Sequence, residues 1–256
     1  MTTSAKQVQC FWQARAAEPV AAATVTHRDV WQRHLEIENL RGLVQPTDRV
    51  LDIGCGNGYT TRRVAPQVRE IVGIDYSDEM IARARREAGP ALTFHVRDVL
   101  GLGPGDFGLF DVVISVRCLI NLAGWAEQQR AIANVASVLK PGGRFLFIEG
   151  CRQGRERLNA LRTTVGLDAM PPVWHNVDFD VDATLAHLER DFVLDRRLHF
   201  GVYDFIARVV HPLVVIPETP SYDHRMNEVA AALAGSVDAL GDLSRVLFLV
   251  LRRRPA

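Results

Sequence analysis

Asp52 stands near the end of the apolar run 49–53, which continues into three glycines with the spacing G-x-G-x-G. These glycines are Gly54, Gly56 and Gly58. Glycine is needed where a chain turns tightly or where its backbone approaches a ligand closely. A turn that leads into a helix also directs free N–H groups and the positive end of the helix dipole at the ligand. The pattern predicts a nucleotide-type site at the tip of the first strand of an α/β sheet.

The glycine spacing discriminates between nucleotides. A dinucleotide-binding turn has the spacing G-x-G-x-x-G, whereas Gly58 comes one residue earlier. The Asp52 carboxylate would bind an ammonium group and repel a pyrophosphate. The stretch 50–59 resembles motif I of the class I S-adenosylmethionine-dependent methyltransferases. This resemblance implies that S-adenosylmethionine (SAM) is the cofactor, that S-adenosylhomocysteine (SAH) is the product, and that Asp52, the glycine turn and Cys55 bind the cofactor.

Asp75 closes the second predicted strand, 23 residues after Asp52. An acid about 20 positions beyond the glycine turn suits two hydrogen bonds to ribose hydroxyls. The alternative is an acid at the N-terminus of the following helix. Tyr76 and Met80 are expected to flank the adenine ring, although Met80 would serve equally well in the apolar core.

The family resemblance assigns further cofactor contacts after the third and fourth strands. Asp98 stands where the family places an acid that accepts from the adenine amino group, and the backbone of Val99 would be a second contact. An Asx turn at Asp98 is the alternative. Val116 and Arg117 are expected beneath the methionine part of the cofactor. Arg117 would there meet a cofactor or substrate carboxylate, or else form an exposed salt bridge.

Strand-like and helix-like segments alternate along the chain, which is typical of a doubly wound parallel sheet. The predicted strands cover 50–53, 70–75, 92–96, 110–116, 144–149, 192–198 and 246–251. The predicted helices cover 10–17, 29–44 with Asp29 as N-cap, 60–65, 78–87, 126–139 and 181–190, and the glycine-containing stretch 140–143 is expected to end the fifth of them. The fold class is α/β, and the resemblance implies a Rossmann-like, doubly wound sheet of seven strands with the last strand antiparallel.

The segments outside this sheet are expected to cover the site. Residues 1–48 form a predicted helical N-terminal cap, and residues 49–256 form the predicted SAM-binding methyltransferase core. Two insertions, 150–180 and 201–243, leave the carboxyl edge of the sheet, where ligands of α/β proteins bind. With the N-terminal helices they are expected to form a lid over the reaction centre.

The acceptor is expected to be a small molecule. Related enzymes that methylate the amino groups of bases usually carry Asp/Asn-Pro-Pro-aromatic after the fourth strand, whereas residues 116–121 here read Val-Arg-Cys-Leu-Ile-Asn. Thirty basic and thirty acidic residues also leave no basic footprint for nucleic acid. The predicted partner is therefore a small-molecule substrate, without nucleic acid or a membrane, and the protein is expected to be a monomer or a homodimer.

Polar and aromatic residues beyond the fourth and fifth strands resemble a bacterial branch of the family that is associated with saccharide and natural-product pathways. The predicted substrate-binding residues are Asn121, Asn159, Arg162, Trp174, Asn176 and Arg208. They suit an amino- or hydroxyl-bearing polar metabolite such as a sugar, an amino acid or a natural-product intermediate. Arg162 would bind a carboxylate or phosphate, or lie on a helix surface.

Glu149, His175 and Tyr203 are the predicted catalytic residues. Glu149 would accept from an amine or act as a base, unless it is a helix N-terminal acid. His175 would be a base for a hydroxyl, although a lone histidine is more often structural, and Tyr203 would line the lid. Because acids outnumber convincing bases, transfer to an amine nitrogen is favoured.

Three alternatives stay open. One is an O-methyltransferase that uses His175 or His211 as the base. Another is a non-catalytic SAM-binding partner or sensor protein, and the third is a nicotinamide-dependent oxidoreductase, which the glycine spacing disfavours.

The cysteine pattern and the hydropathy favour a cytoplasmic protein. The four cysteines show no C-x-x-C spacing and read as reduced thiols. No signal peptide is recognised, and no apolar run approaches the length of a membrane span. The histidines and acids show no metal-ligand spacing, so no metal is predicted.

Overall fold

The computed structural model describes residues 5–18 and 20–255. Residues 1–4 and 19 of the predicted N-terminal cap and residue 256 of the predicted core lie outside the described residues.

Seven strands form one sheet in the order β3-β2-β1-β4-β5-β7-β6. The strands are β1 (Arg49–Ile53), β2 (Glu70–Asp75), β3 (Leu92–Val96), β4 (Phe110–Val116), β5 (Leu139–Gly150), β6 (Phe192–Leu198) and β7 (Val246–Arg253). Strands β1 to β5 pair in parallel, whereas β7 lies antiparallel between β5 and β6. The predicted seven-stranded, doubly wound sheet with an antiparallel last strand is confirmed.

Helices cover both faces of the sheet. They are α1 (Ala5–Ala17), α2 (Val30–Leu43), α3 (Tyr59–Val64), α4 (Asp78–Ala84), α5 (Pro104–Phe107), α6 (Trp125–Val138), α7 (Arg152–Thr164), α8 (Val181–Leu188), α9 (Gly201–Phe205), α10 (His211–Val215) and α11 (Arg225–Ala234). The turn of π-helix Ile206–Val210 joins α9 to α10. Among the described residues, no helix has both the length and the hydropathy needed to cross a membrane.

The apolar core is divided by the sheet. On one face, Ile132 and Val135 of α6 pack in a cluster with Leu51 and Phe147 of the sheet. On the other face, the cluster includes residues of α2, α9 and α11. The second insertion therefore supplies core residues such as Tyr203 as well as residues near the carboxyl edge of the sheet.

Two local expectations have opposite outcomes. The Asp29 side chain accepts from the backbone N–H of Gln32 at 3.0 Å, so the predicted N-cap of α2 is confirmed. The prediction that the stretch 140–143 ends α6 is wrong, because α6 ends at Val138 and β5 already begins at Leu139. The register between β4 and β5 shifts beside this stretch, which is an irregularity of the sheet and no helix cap.

Candidate active site

The glycine turn lies at the carboxyl end of β1. Gly54, Gly56 and Gly58 all have positive φ, at +64°, +54° and +74°, a region that L-residues with a Cβ rarely adopt. A Cβ on Gly54 would lie 2.4 Å from the Sγ of Cys118. The Gly58 N–H donates to the carbonyl of Cys55 at 3.0 Å and closes the turn before α3. The close approach at Gly54 and the left-handed backbone explain why only glycine fits here.

Two carboxylates flank this turn. Asp52 Oδ2 accepts from the Thr61 hydroxyl at 2.6 Å, and burial raises the pKa of Asp52 to about 7. Asp75 Oδ2 accepts from the backbone N–H of Gly56 at 2.9 Å, while Oδ1 accepts from that of Ser77 at the same distance. Burial raises the pKa of Asp75 to about 6. Both carboxylates are therefore held in place by the protein before any ligand binds.

A cavity of about 670 Å³ opens from the turn. Its volume lies within the range of small-molecule and cofactor sites. We call the part lined by Asp52, the glycine turn, Asp75, Tyr76 and Met80 the glycine-turn site; Gly54, Cys55 and Gly56 are the turn residues that line it. The hydroxyl of Tyr76 is buried without a hydrogen-bond partner among the described residues.

Three predicted cofactor residues do not line the cavity. Asp98 Oδ1 accepts from the backbone N–H of Leu100 at 2.8 Å, which is the Asx turn that was the alternative. Val99 is buried in the core. Gly58 shapes the turn from behind, where a Cβ would lie 2.7 Å from the ring of Phe94. Asp98 and Val99 thus lie outside the cavity lining, and their expected adenine contacts stay predictions.

Val116 and Arg117 both line the cavity where β4 ends. Arg117 has a φ of +52°, and its backbone N–H donates to the carbonyl of Ile148 at 2.8 Å. Its guanidinium forms an ion pair with the buried carboxylate of Glu36. Arg117 is therefore engaged with α2 and is not an exposed salt-bridge residue.

One side of the cavity, which we call the aromatic wall, consists of Phe11, Trp12, Asn121, His175 and Asn176. The His175 ring stacks on Phe11 with centroids 4.6 Å apart. The Trp12 indole N–H donates to Asn121 Oδ1 at 3.0 Å. Burial lowers the pKa of His175, and its Nδ1 is buried without a partner among the described residues. The imidazole is thus neutral near pH 7.

Glu149 is not placed as a base. Its carboxylate accepts from the Ser115 hydroxyl and from the backbone N–H groups of Cys118, Leu119 and Ile120 at 3.1 to 3.2 Å. It is fully buried, and burial raises its pKa to about 7. Glu149 is not among the lining residues, so its role is to hold the turn after β4.

Tyr203 and His211 also lie away from the cavity surface. The Tyr203 hydroxyl donates to Asp29 Oδ1 at 2.5 Å, and burial raises its pKa. His211 is buried and stacks on His224 with centroids 4.4 Å apart. Neither side chain lines the cavity, which removes His211 as a base and makes Tyr203 a support for Asp29.

Three predicted substrate residues lie behind or beside the cavity. Asn159 pairs in both directions with the backbone of Met170 at 2.9 Å, and so fixes a loop that lines the cavity. Arg162 donates to the carbonyls of Asp168 and Arg208. Trp174 is 53% exposed and packs edge-on against Phe11 at the outer side of the aromatic wall. Asn121, Asn176 and Arg208 do line the cavity.

A second side of the cavity is rich in arginine, and the sequence analysis did not predict it. We call it the arginine wall, and it consists of Arg33, Arg117, Arg208 and Arg245, which line the cavity together with His27, Asp29, Gln32, Glu36 and Tyr222. Only Arg117 and Arg208 were singled out from the sequence. The available signal was a polar stripe at positions 29, 32, 33 and 36, which share one face of a helix.

The described residues contain no group of three or more histidines, cysteines and acids arranged to hold a metal ion.

Residues 50–143 match the sequence model of a family described as a methyltransferase domain. Nodulation protein S of Rhizobium tropici is 31% identical over 118 residues, which cover 45% of this chain and 49% of that protein. The ubiquinone biosynthesis O-methyltransferase of Xanthomonas axonopodis pv. citri is 31% identical over 118 residues, covering 44% of this chain and 48% of that protein. The chain thus spans about half the length of these curated relatives.

The fold has a matching solved structure. The N-methyltransferase NodS from Bradyrhizobium japonicum WM9, in complex with SAH, superposes with a TM-score of 0.59 at 18% identity, covering 97% of this chain and 99% of that one. The glycine turn, the strand order and the domain match agree with one another. Residues 50–143 thus resemble a methyltransferase domain, and the chain shares its fold with a solved N-methyltransferase.

Proposed function

We propose that the protein transfers the methyl group of SAM to an amine nitrogen of a small polar metabolite. The observation that carries this proposal is the continuity of the cavity, which runs from the glycine-turn site to two polar walls. An acceptor bound between those walls would share one cavity with the cofactor. A cavity of this volume favours a small acceptor.

The glycine-turn site fits the cofactor chemically. Asp52 would accept from its ammonium group, and Asp75 would accept from its ribose hydroxyls. The Tyr76 hydroxyl is buried at the same site and lacks a hydrogen-bond partner among the described residues. Arg33 lies close enough to Asp52 to influence its pKa and would meet the cofactor carboxylate. When bound, SAM supplies an electrophilic methyl group on a positively charged sulfur.

The protein's residues would hold the acceptor in line with that methyl group, because correct positioning alone substantially lowers the free-energy barrier to methyl transfer. A neutral amine needs little further help. Of the three predicted catalytic residues, only His175 lines the cavity. The name of the solved relative, an N-methyltransferase, is consistent with nitrogen as the acceptor atom.

A second candidate function is methyl transfer to a hydroxyl. It is favoured by one observation, the neutral His175 imidazole with a buried, unpartnered Nδ1 on the aromatic wall. A hydroxyl needs a base within hydrogen-bond reach, and His175 is the candidate for that role on this wall.

The direct test uses purified protein, methyl-labelled SAM and a fractionated metabolite extract of the host, with labelled products identified by mass spectrometry. A single labelled metabolite is expected and would identify acceptor and atom together.

Asp75→Asn should weaken SAH binding at least about tenfold, since a charge-assisted hydrogen bond is lost. Asp182→Asn, the same change at an exposed position of α8, should leave binding unchanged. SAH binding without any labelled product would instead support a non-catalytic SAM-binding role.

The His175→Ala variant separates the two acceptor atoms once a substrate is known. For an amine acceptor, kcat should change less than about tenfold and keep its pH profile. For a hydroxyl acceptor, kcat should fall by roughly 10² to 10⁴ and lose its dependence on an ionising base. Asn121→Ala, a truncation on the same wall without a titratable group, is the matched control.

A further inference from the structure

The arginine wall carries more hydrogen-bond donors than the proposed methyl transfer uses. Arg33 is assigned above to the cofactor, and Arg117 is paired with Glu36. Arg208 and Arg245 remain, and both line the cavity. Neither has a task in holding the cofactor or in transferring the methyl group.

Arg208 and Arg245 converge on one turn of α2. Arg208 forms an ion pair with Asp29, the N-cap of that helix. Arg245 donates to Gln32 Oε1 at 3.1 Å, and Asp204 accepts from its Nε at 2.8 Å. Because Asp29 also accepts from the backbone N–H of Gln32, the two guanidinium groups are tethered within one helical turn of each other.

Donors in this cluster lack acceptors. A guanidinium carries five N–H groups, and the Nε of Arg208 is buried without a partner among the described residues. The Nε2 of Gln32 is in the same condition, on a residue that is only 1% exposed. A buried donor left unpaired destabilises the folded protein. A ligand rich in acceptor oxygens would remove that penalty.

The local charge points the same way. Arg33, Arg117, Arg208 and Arg245 all lower the pKa of His27, after the larger effect of its burial, so His27 adds no positive charge near pH 7. The facing acids Asp29, Asp204 and Glu36 are each already paired with an arginine. The ring of Tyr222 lies 5.1 Å from the Arg208 guanidinium carbon and closes this part of the cavity. An anion placed here would meet paired carboxylates and unsatisfied N–H groups.

We propose that the methyl acceptor carries a carboxylate or phosphate group, which binds to Arg208, Arg245 and Gln32. This inference rests on the proposed function, since it identifies the chemical class of the substrate of that reaction. Arginine suits both anions, because its N–H groups match two oxygens at once. Held by its anionic end, the acceptor would direct its nucleophile toward the cofactor.

The test uses protein saturated with SAH and two probes, acetate and inorganic phosphate, each titrated against chloride at constant ionic strength. Binding is followed as a shift in Tm, which rises with the concentration of a ligand that binds the folded state. A saturable rise is expected for at least one probe. A response to acetate alone indicates a carboxylate, and a response to phosphate alone indicates a phosphate.

Two charge-neutral double variants separate anion binding from support of the fold. Arg245→Gln with Asp204→Asn, and Arg208→Gln with Asp29→Asn, keep a hydrogen-bonding pair and avoid an unpaired buried charge. Asparagine also preserves the N-cap at position 29. Each double variant should bind the anion probe about tenfold or more weakly than the wild type, with the SAH affinity unchanged. Arg157→Gln with Asp242→Asn, a pair that is 2.9 Å apart and exposed, is the control and should change nothing.

The inference is wrong if neither probe gives a saturable shift while SAH binds, or if both double variants respond like the wild type. Failure of SAH to bind would contradict the proposed function instead, so the two failures are distinguishable.

Discussion

The glycine-turn site and the arginine wall line one cavity, but they are built over different ranges of sequence. The bond from Gly56 to Asp75 spans 19 residues, and the bond from Thr61 to Asp52 spans 9. The pair of Arg208 and Asp29 spans 179 residues. The first site is therefore specified by a strand, a turn and the next strand, whereas the second exists only when both ends of the chain have folded together. Changes at the first should act on cofactor binding, and changes at the second on stability and acceptor binding together.

The largest effect is expected from Gly54→Ala. The added Cβ would lie 2.4 Å from the Sγ and 2.6 Å from the Cβ of Cys118, at a φ of +64°. The turn must move, so the SAH affinity should fall by about a hundredfold or more, as measured by titration calorimetry.

Gly142→Ala is the matched control for this change. Gly142 has a φ of +74°, but an added Cβ there would have no atom of the described residues within 4 Å, so only the backbone conformation is penalised, by about 1 kcal/mol. Its SAH affinity should equal that of the wild type. Normal SAH binding by Gly54→Ala would mean that the cofactor does not sit on this turn.

Asp29→Ala should have the next largest effect, this time on stability. It removes the N-cap of α2, the partner of the Tyr203 hydroxyl and the carboxylate that compensates Arg208. Breaking a buried ion pair costs about 3–5 kcal/mol, which urea unfolding would measure.

Asp180→Ala provides the comparison, because Asp180 caps α8 in the same way but pairs with the exposed Arg152. The expected loss is about 1 kcal/mol. Equal losses in both variants would show that the long-range contacts of Asp29 contribute nothing.

A smaller effect is expected from pH. Asp52 and Asp75 have pKa values of about 7 and about 6 because both are buried, and the proposed contacts require their charged forms. The SAH affinity should therefore rise between pH 5.5 and pH 8, by about tenfold or more. In Asp52→Asn the affinity should be lower and its pH dependence flatter, whereas a flat profile in the wild type would contradict these roles.

The same shifts fix the sign of a stability change. In the folded protein these carboxyl groups keep their protons up to a higher pH than in the unfolded chain, where an aspartate titrates near 3.9. Between about pH 4 and pH 7 the folded state thus binds more protons, and the free energy of unfolding of ligand-free protein should fall as the pH rises. Saturating SAH should oppose that fall.

Sequence reasoning succeeded where the information is local. The strands β2, β3, β4 and β6 begin and end where their apolar patterns predict, and Asp52, Asp75 and the glycine turn come together at the edge of the sheet. The parallel strands β2 and β4 are buried along most of their length, which gives the near-continuous apolar runs from which they were predicted.

It failed where a side chain could serve either the site or the fold. Glu149 and Tyr203 are polar residues at the expected edge of the sheet, but buried partners hold both of them. Arg245 follows no recognisable motif, and its place beside Gln32 depends on contacts across 213 residues. Such pairings arise from tertiary packing, which a single sequence does not encode in any local pattern.

Arg117 links the two regions, and its backbone is in conflict with its side chain. A φ of +52° is unfavourable for arginine by roughly 1–2 kcal/mol, yet the ion pair with Glu36 requires that side chain at the end of β4. This is local frustration, in which an unfavourable backbone conformation is kept because it allows the ion pair. Replacing the pair together, Arg117→Gly with Glu36→Gln, should relieve the backbone without stranding a buried charge. The resulting protein should unfold at a higher urea concentration than the wild type, because glycine adopts this φ without the strain that arginine bears.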